Sequence, residues 1–136
     1  PCPVRPLVEL ADAVSDADAV VVALPLASET RGIVSAEVIA AMAPHAVFVN
    51  VGRGELVDQA ALTDALASAR LAGAGLDVFD PEPLPPDDAV WDLPNVIISP
   101  HTSGSSDATT ARVAEIFLDN LGRFVRGEPM RNEVTR

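Results

Sequence analysis

The chain has 136 residues, enough for one domain that buries roughly two thirds of its unfolded surface. An apolar share of 49% and a charged share of 21% are those of an ordinary globular protein. Nine basic side chains against twenty acidic ones leave a net charge of −11, which argues against a nucleic-acid or anionic-membrane surface.

The chain opens on Pro1 rather than on a methionine, so it is expected to be part of a longer polypeptide. Its single cysteine, Cys2, has no internal partner, which fits a reducing, cytoplasmic setting. No signal peptide, lipidation motif or apolar run of about 18 residues is present. Val4-Arg5 suits a short strand remnant, and Pro6 the first position of a helix. Leu7, Leu10, Ala11 and Val14 then repeat on one helical face, which ends at Ser15–Asp18. Ala19–Leu24 is a continuous apolar run rich in valine, the mark of a strand buried on both faces of a parallel sheet. Pro25–Thr30 is its following loop, where Ser28 and Thr30 are ligand donors or local turn makers.

Ser35 is a helix N-cap before the buried stripe Val38, Ile39 and Met42. Ala43-Pro44-His45 breaks that helix, and His45 reads as a solvent-facing turn residue. Ala46–Val49 is a buried strand running into Asn50-Val51-Gly52-Arg53-Gly54. Asp58 caps a helix with Leu62, Ala65, Leu66 and Ala69 on one face, and Gly73 is expected to end it. Ala74–Val78 is a strand containing Asp77, followed by the proline-stiffened loop Phe79–Pro86. Val96–Ser99 is the last strand and leads into Pro100-His101-Thr102-Ser103-Gly104. A long helix is expected from about Ser106 to Val125, with Val113, Ile116, Phe117, Leu121, Phe124 and Val125 on its apolar face. Gly127–Arg136 is a tail.

Strands alternating with helices imply an α/β fold, a parallel sheet with flanking helices. All carboxyl ends of such a sheet point one way, and ligands bind in the crevice outside them. Arg53, Glu82 and His101 follow three different strands, so they fall on one rim. A carboxylate beside an imidazole favours its protonated form and fixes its orientation, and the imidazole then gives or takes a proton near neutral pH. A guanidinium nearby grips a carboxylate through two parallel hydrogen bonds. Each residue also has a plain alternative: a loop arginine paired with an acid, a solvated glutamate, a histidine satisfied by backbone, and an Asp77 that caps a turn.

The motifs resemble the D-isomer-specific 2-hydroxyacid dehydrogenases. They are Leu24-Pro25-Leu26 with Glu29-Thr30-Arg31-Gly32, Asn50–Gly54, Gly75–Phe79 with Glu82-Pro83-Leu84, Ser99–Gly104, and the closing Gly127, Pro129 and Asn132. The resemblance implies an oxidoreductase that interconverts a D-2-hydroxy acid and a 2-keto acid with NAD, NADP not being excluded. It implies that Arg53 binds the substrate carboxylate, His101 is the acid or base, and Glu82 holds His101. Asp77 would bind the nicotinamide carboxamide, and Pro25, Ser28, Thr30, Val51, Gly52, Ser103 and Gly104 would line the cofactor. No metal is implied, and the full-length family member is expected to be a homodimer.

The family's Gly-x-Gly-x-x-Gly turn is absent from these residues. The reading is therefore a partial Rossmann domain, doubly wound in the family, that lacks its first strands. It would span residues 1–126, with 127–136 a tail returning to the substrate domain. Ala19–Leu24 is then expected to be an open sheet edge. The competing readings are a nucleotide-sensing, corepressor-like binding module without catalysis, and an inactive fragment, a generic parallel α/β domain with no activity.

Overall fold

The computed structural model describes residues 3–134, in two compact units, Pro1–Ser103 and Gly104–Arg136. Cys2 lies outside the described residues. In the first unit, β1 (Ala19–Val22), β2 (Val47–Asn50), β3 (Gly73–Leu76) and β4 (Val96–Ile98) pair in sequence order, all parallel. The register sets Val22, Asn50, Leu76 and Ile98 in one row near the carboxyl ends, so the loops that follow leave from a common rim. β1 is an edge strand, as expected.

The helices are short and each has a local cause. A 3-10 turn, Leu7–Glu9, leads into α1 (Leu10–Val14), and Pro6 sits before that turn rather than inside it. Val4 and Arg5 form no strand. In α2 (Ala36–Ala41) the Ser35 hydroxyl accepts the Val38 N–H, and in α3 (Gln59–Ala67) the Asp58 carboxylate accepts that of Ala61. Ile39, Leu62 and Leu66 pack against Val22, Phe48 and Leu76 in one core. Full burial of a side chain such as Phe48 is worth about 1.5–3 kcal/mol.

Two expectations fail here for physical reasons. The sheet is not buried on both faces: Val22 is 5% exposed but its neighbour Val21 is 62% exposed, and Ile97 on β4 is exposed too. The core of this unit lies on one face of the sheet, where Val22, Phe48 and Leu76 meet Ile39, Leu62 and Leu66, so within these residues the valine run has one covered side. Gly73 does not end α3. Ala69 does, in a left-handed conformation (φ 54°), with the Arg70 and Leu71 N–H groups both returning to the Ala65 carbonyl. Gly73 instead opens β3, where a β-carbon would lie 2.8 Å from the Asn95 carbonyl oxygen.

In the second unit α4 spans Thr109–Arg126. It starts later than expected because the hydroxyls of Ser106 and Thr109 bond each other at 2.8 Å, and that of Thr109 also accepts the Ser106 N–H. Gly127, at φ 68°, ends it, and the Glu128 N–H reaches back to the Arg123 carbonyl. The Asn120 amide then holds both backbone groups of Arg131. Val113, Phe117, Phe124 and Val125 remain exposed. No described helix is long and apolar enough to cross a membrane.

Candidate active site

The rim is built from three strand ends. At the end of β2, the Asn50 side chain is 2% exposed. Its Oδ1 accepts the Gly52 N–H and its Nδ2 donates to the Arg53 carbonyl, both at 3.0 Å. Arg53 lies in extended backbone and its Nη1 donates to the Gly52 carbonyl at 2.7 Å. Gly54 lies directly on the next loop, since a β-carbon there would sit 1.9 Å from the Phe79 carbonyl oxygen.

Beyond β3, Glu82 uses both oxygens. Oε1 accepts the Phe79 N–H and Oε2 meets His101 Nδ1, each at 2.9 Å. The hydrogen bond with His101, the Phe79 N–H and the positive charges of His101 and Arg53 hold the Glu82 carboxyl below its ordinary value, against the effect of burial. Arg53 is thus close enough for its charge to act on Glu82. The Glu82 and His101 side chains stay 36% and 46% exposed, so both are open to a ligand.

Asp77 sits just past β3 and is 3% exposed. Burial pushes its carboxyl up, but hydrogen bonds from Ser103, Ser99 and the Thr102 backbone outweigh that and keep it well below the usual carboxylate range. Its Oδ1 accepts from the Ser99 hydroxyl (2.6 Å) and the Thr102 N–H (2.8 Å), and its Oδ2 from the Ser103 N–H (3.0 Å). The Asp77 carbonyl also accepts the His101 N–H at 2.9 Å. Together these bonds hold His101 in the left-handed region (φ 52°), costly for a residue with a β-carbon. A cavity of about 690 Å³ opens beside Glu82 and His101, walled by Phe79, Leu84, Trp91 and Ile98.

The remaining expected residues are placed as follows. Pro25 is exposed after β1, and its carbonyl accepts the Thr30 hydroxyl, which in turn accepts the Ala27 N–H. Ser28 is exposed. The Thr30 hydroxyl is thus engaged within its own loop. Val51 is exposed at the rim while Gly52 is buried. Ser103 closes the first unit, and Gly104 opens the second, where an added β-carbon would meet nothing within 4 Å. His45 pairs at the surface with Asp18 at 3.1 Å. Asn50, Ser99 and Gln59, whose Oε1 accepts the Asp80 N–H, support the site but were not singled out from the sequence. A polar residue closing an apolar strand was the one available signal, and it pointed to Asn50.

Arg53, the Glu82–His101 pair and buried Asp77 all follow strands of one parallel sheet, at the carboxyl rim where open α/β sheets bind ligands. Residues 3–103 match the family model described as "D-isomer specific 2-hydroxyacid dehydrogenase, NAD binding domain". The chain belongs to that family. It is 43% identical over 121 residues to a glyoxylate reductase of Korarchaeum cryptofilum, covering 89% of this chain and 36% of the relative. It is 42% identical over 124 residues to a hydroxyphenylpyruvate reductase of Plectranthus scutellarioides, covering 91% and 38%. The crystal structure of a D-isomer specific 2-hydroxyacid dehydrogenase from Xanthobacter autotrophicus Py2, in complex with NADPH and MES, matches with a TM-score of 0.86 and 42% identity. That match covers 95% of this chain and 52% of the other. The chain therefore spans well under half the length of these two curated relatives.

Proposed function

We propose that the full-length protein is an NAD(P)-dependent oxidoreductase reducing a small 2-keto acid to its D-2-hydroxy acid, and that Arg53, Glu82 and His101 carry the chemistry. The observation behind this reading is the 2.9 Å His101–Glu82 contact with Arg53 near enough to act on the same carboxylate. Arg53 binds the substrate carboxylate and draws charge toward the C2 oxygen. His101 donates a proton to that oxygen in reduction and accepts it in the reverse direction. Glu82 accepts from Nδ1, which leaves Nε2 for the substrate.

Residues on the rim fit the nicotinamide side of a cofactor. Asp77, its carboxylate held by Ser99, Thr102 and Ser103, is the rim acceptor that we assign to the nicotinamide carboxamide. Pro25, exposed Val51, the Gly52 backbone and Ser103 would flank the ring, and Ser28, Thr30 and Gly104 its approach. When bound, the nicotinamide supplies the hydride. We place the full-length protein in the cytoplasm as a homodimer with no nucleic-acid partner, in keeping with the net charge of −11. The direct test is NADH- and NADPH-dependent reduction of glyoxylate, hydroxypyruvate and larger 2-keto acids by the full-length protein. A kcat/KM lowered about a hundredfold but still measurable in Arg53→Ala is the expected result, the scale of losing one partner of a charged pair; full activity in that variant would refute the assignment.

A further inference from the structure

We propose that Asn50 is a positioning residue for Arg53, and that its two-sided amide bond, rather than the arginine alone, sets how well the substrate carboxylate is bound. The proposal rests on the reading of Arg53 given above. β2 keeps its ladder as far as the turn: the Asn50 carbonyl accepts the Asp77 N–H and the Val51 N–H reaches the Val22 carbonyl, both at 3.0 Å. The chain must then leave the sheet and still deliver Arg53 at the rim. Asn50 lies on the core side and is 2% exposed, where an amide is tolerated only if its polar ends are bonded. Both ends are, to the residue before the arginine's α-carbon and to the arginine's own carbonyl.

These two bonds fix the backbone on either side of the Arg53 α-carbon. A third reinforces them, from the Leu56 N–H to the Arg53 carbonyl at 3.3 Å. Gly52 adds a steric limit, since a β-carbon there would lie 3.0 Å from the Leu24 carbonyl oxygen. The Arg53 side chain is in turn held by its own Nη1 bond to the Gly52 carbonyl at 2.7 Å. The task needs one acceptor and one donor at the same short reach. Among side chains that is asparagine; aspartate offers acceptors only, and glutamine is one methylene too long. Aspartate would set a carboxylate oxygen against the Arg53 carbonyl, so a near-isosteric replacement fails for an electrostatic reason.

The test is a double-mutant cycle in the full-length protein, reading KM and kcat for reduction of a 2-keto acid. Asn50→Ala is expected to raise KM about tenfold or more while kcat changes less, on the scale of the roughly hundredfold that an ångström of misplacement can cost. In an Arg53→Ala background the same change is expected to alter kcat/KM by less than about twofold. An equal loss in both backgrounds would mean that Asn50 acts on folding alone, and would overturn the proposal. Should the alanine variant not fold, Asn50→Asp, which preserves volume and the bond from Gly52, carries the same cycle with the same two outcomes. An Arg53→Ala protein with parental kcat/KM would instead refute the arginine's role, a separate failure.

Discussion

His101 reaches the rim through a left-handed turn that Asp77 holds with its carbonyl and its carboxylate. Glu82 then fixes the ring from the other side. Because the Glu82 pKa is lowered, its pairing stabilises the fold fully above the ordinary glutamate value of about 4.3 and is lost as pH falls through the lowered one. Above that range Glu82 is a carboxylate that holds His101 Nδ1 at 2.9 Å. Glu82→Gln removes that charge and weakens the hold on the ring. The kcat/KM for keto-acid reduction by the full-length protein should fall about tenfold or more, the scale of a lost hydrogen bond to a charged group. An unchanged kcat/KM would contradict the role. At this scale the sequence was informative where position alone decides. Arg53, Glu82 and His101 follow parallel strands, which puts them on one rim whatever the packing. The several bonds at Asp77 were not legible, since they need the 99–103 turn folded back on the end of β3.

The turn after β2 and the loop after β3 are joined where Gly54 lies on the Phe79–Asp80 peptide. A β-carbon at Gly54 meets backbone on that side, 1.9 Å from one atom and 2.6 Å from another, so no side-chain rotation relieves it. The Phe79 N–H is also the second anchor of Glu82, and the Asp80 N–H is held by Gln59. Gly54→Ala should thus lower stability by at least the 1–3 kcal/mol typical of overpacking, about the same order as losing a buried hydrogen bond. Urea unfolding of the domain would show it as a lower midpoint, and a parental midpoint would mean that the loop yields freely. Element identity was legible from local cues, because Ser35 and Asp58 cap as their chemistry dictates. Boundaries were less so. Gly73 looked like a helix terminator, but the left-handed position went to Ala69 and the glycine was needed for close approach in β3.

Taking residues 3–103 together, Val22 and Phe48 are buried while Val21 and Ile97 are exposed, a distinction that no single strand's composition carries. These 136 residues contain no Gly-x-Gly-x-x-Gly turn for a pyrophosphate, and the residues we propose for the nicotinamide side are what remains. A few hydrogen bonds at about 0.5–1.5 kcal/mol each must offset roughly 4 kcal/mol or more of lost freedom. Calorimetric titration of this chain alone should therefore give an NADH dissociation constant near 1 mM or weaker, about −4.1 kcal/mol. A micromolar value would show that these residues suffice.

The central claim is that His101, held by Glu82 and served by Arg53, moves the proton while hydride reaches a 2-keto acid. Its most direct measurement is single-turnover reduction of a 2-keto acid by the full-length protein and by His101→Asn, both saturated with cofactor. The account predicts a rate lower by about 10²–10⁴-fold in the variant, the usual contribution of a positioned acid or base, with substrate affinity largely retained through Arg53. A His101→Asn protein that reduces the keto acid at the parental rate would contradict it.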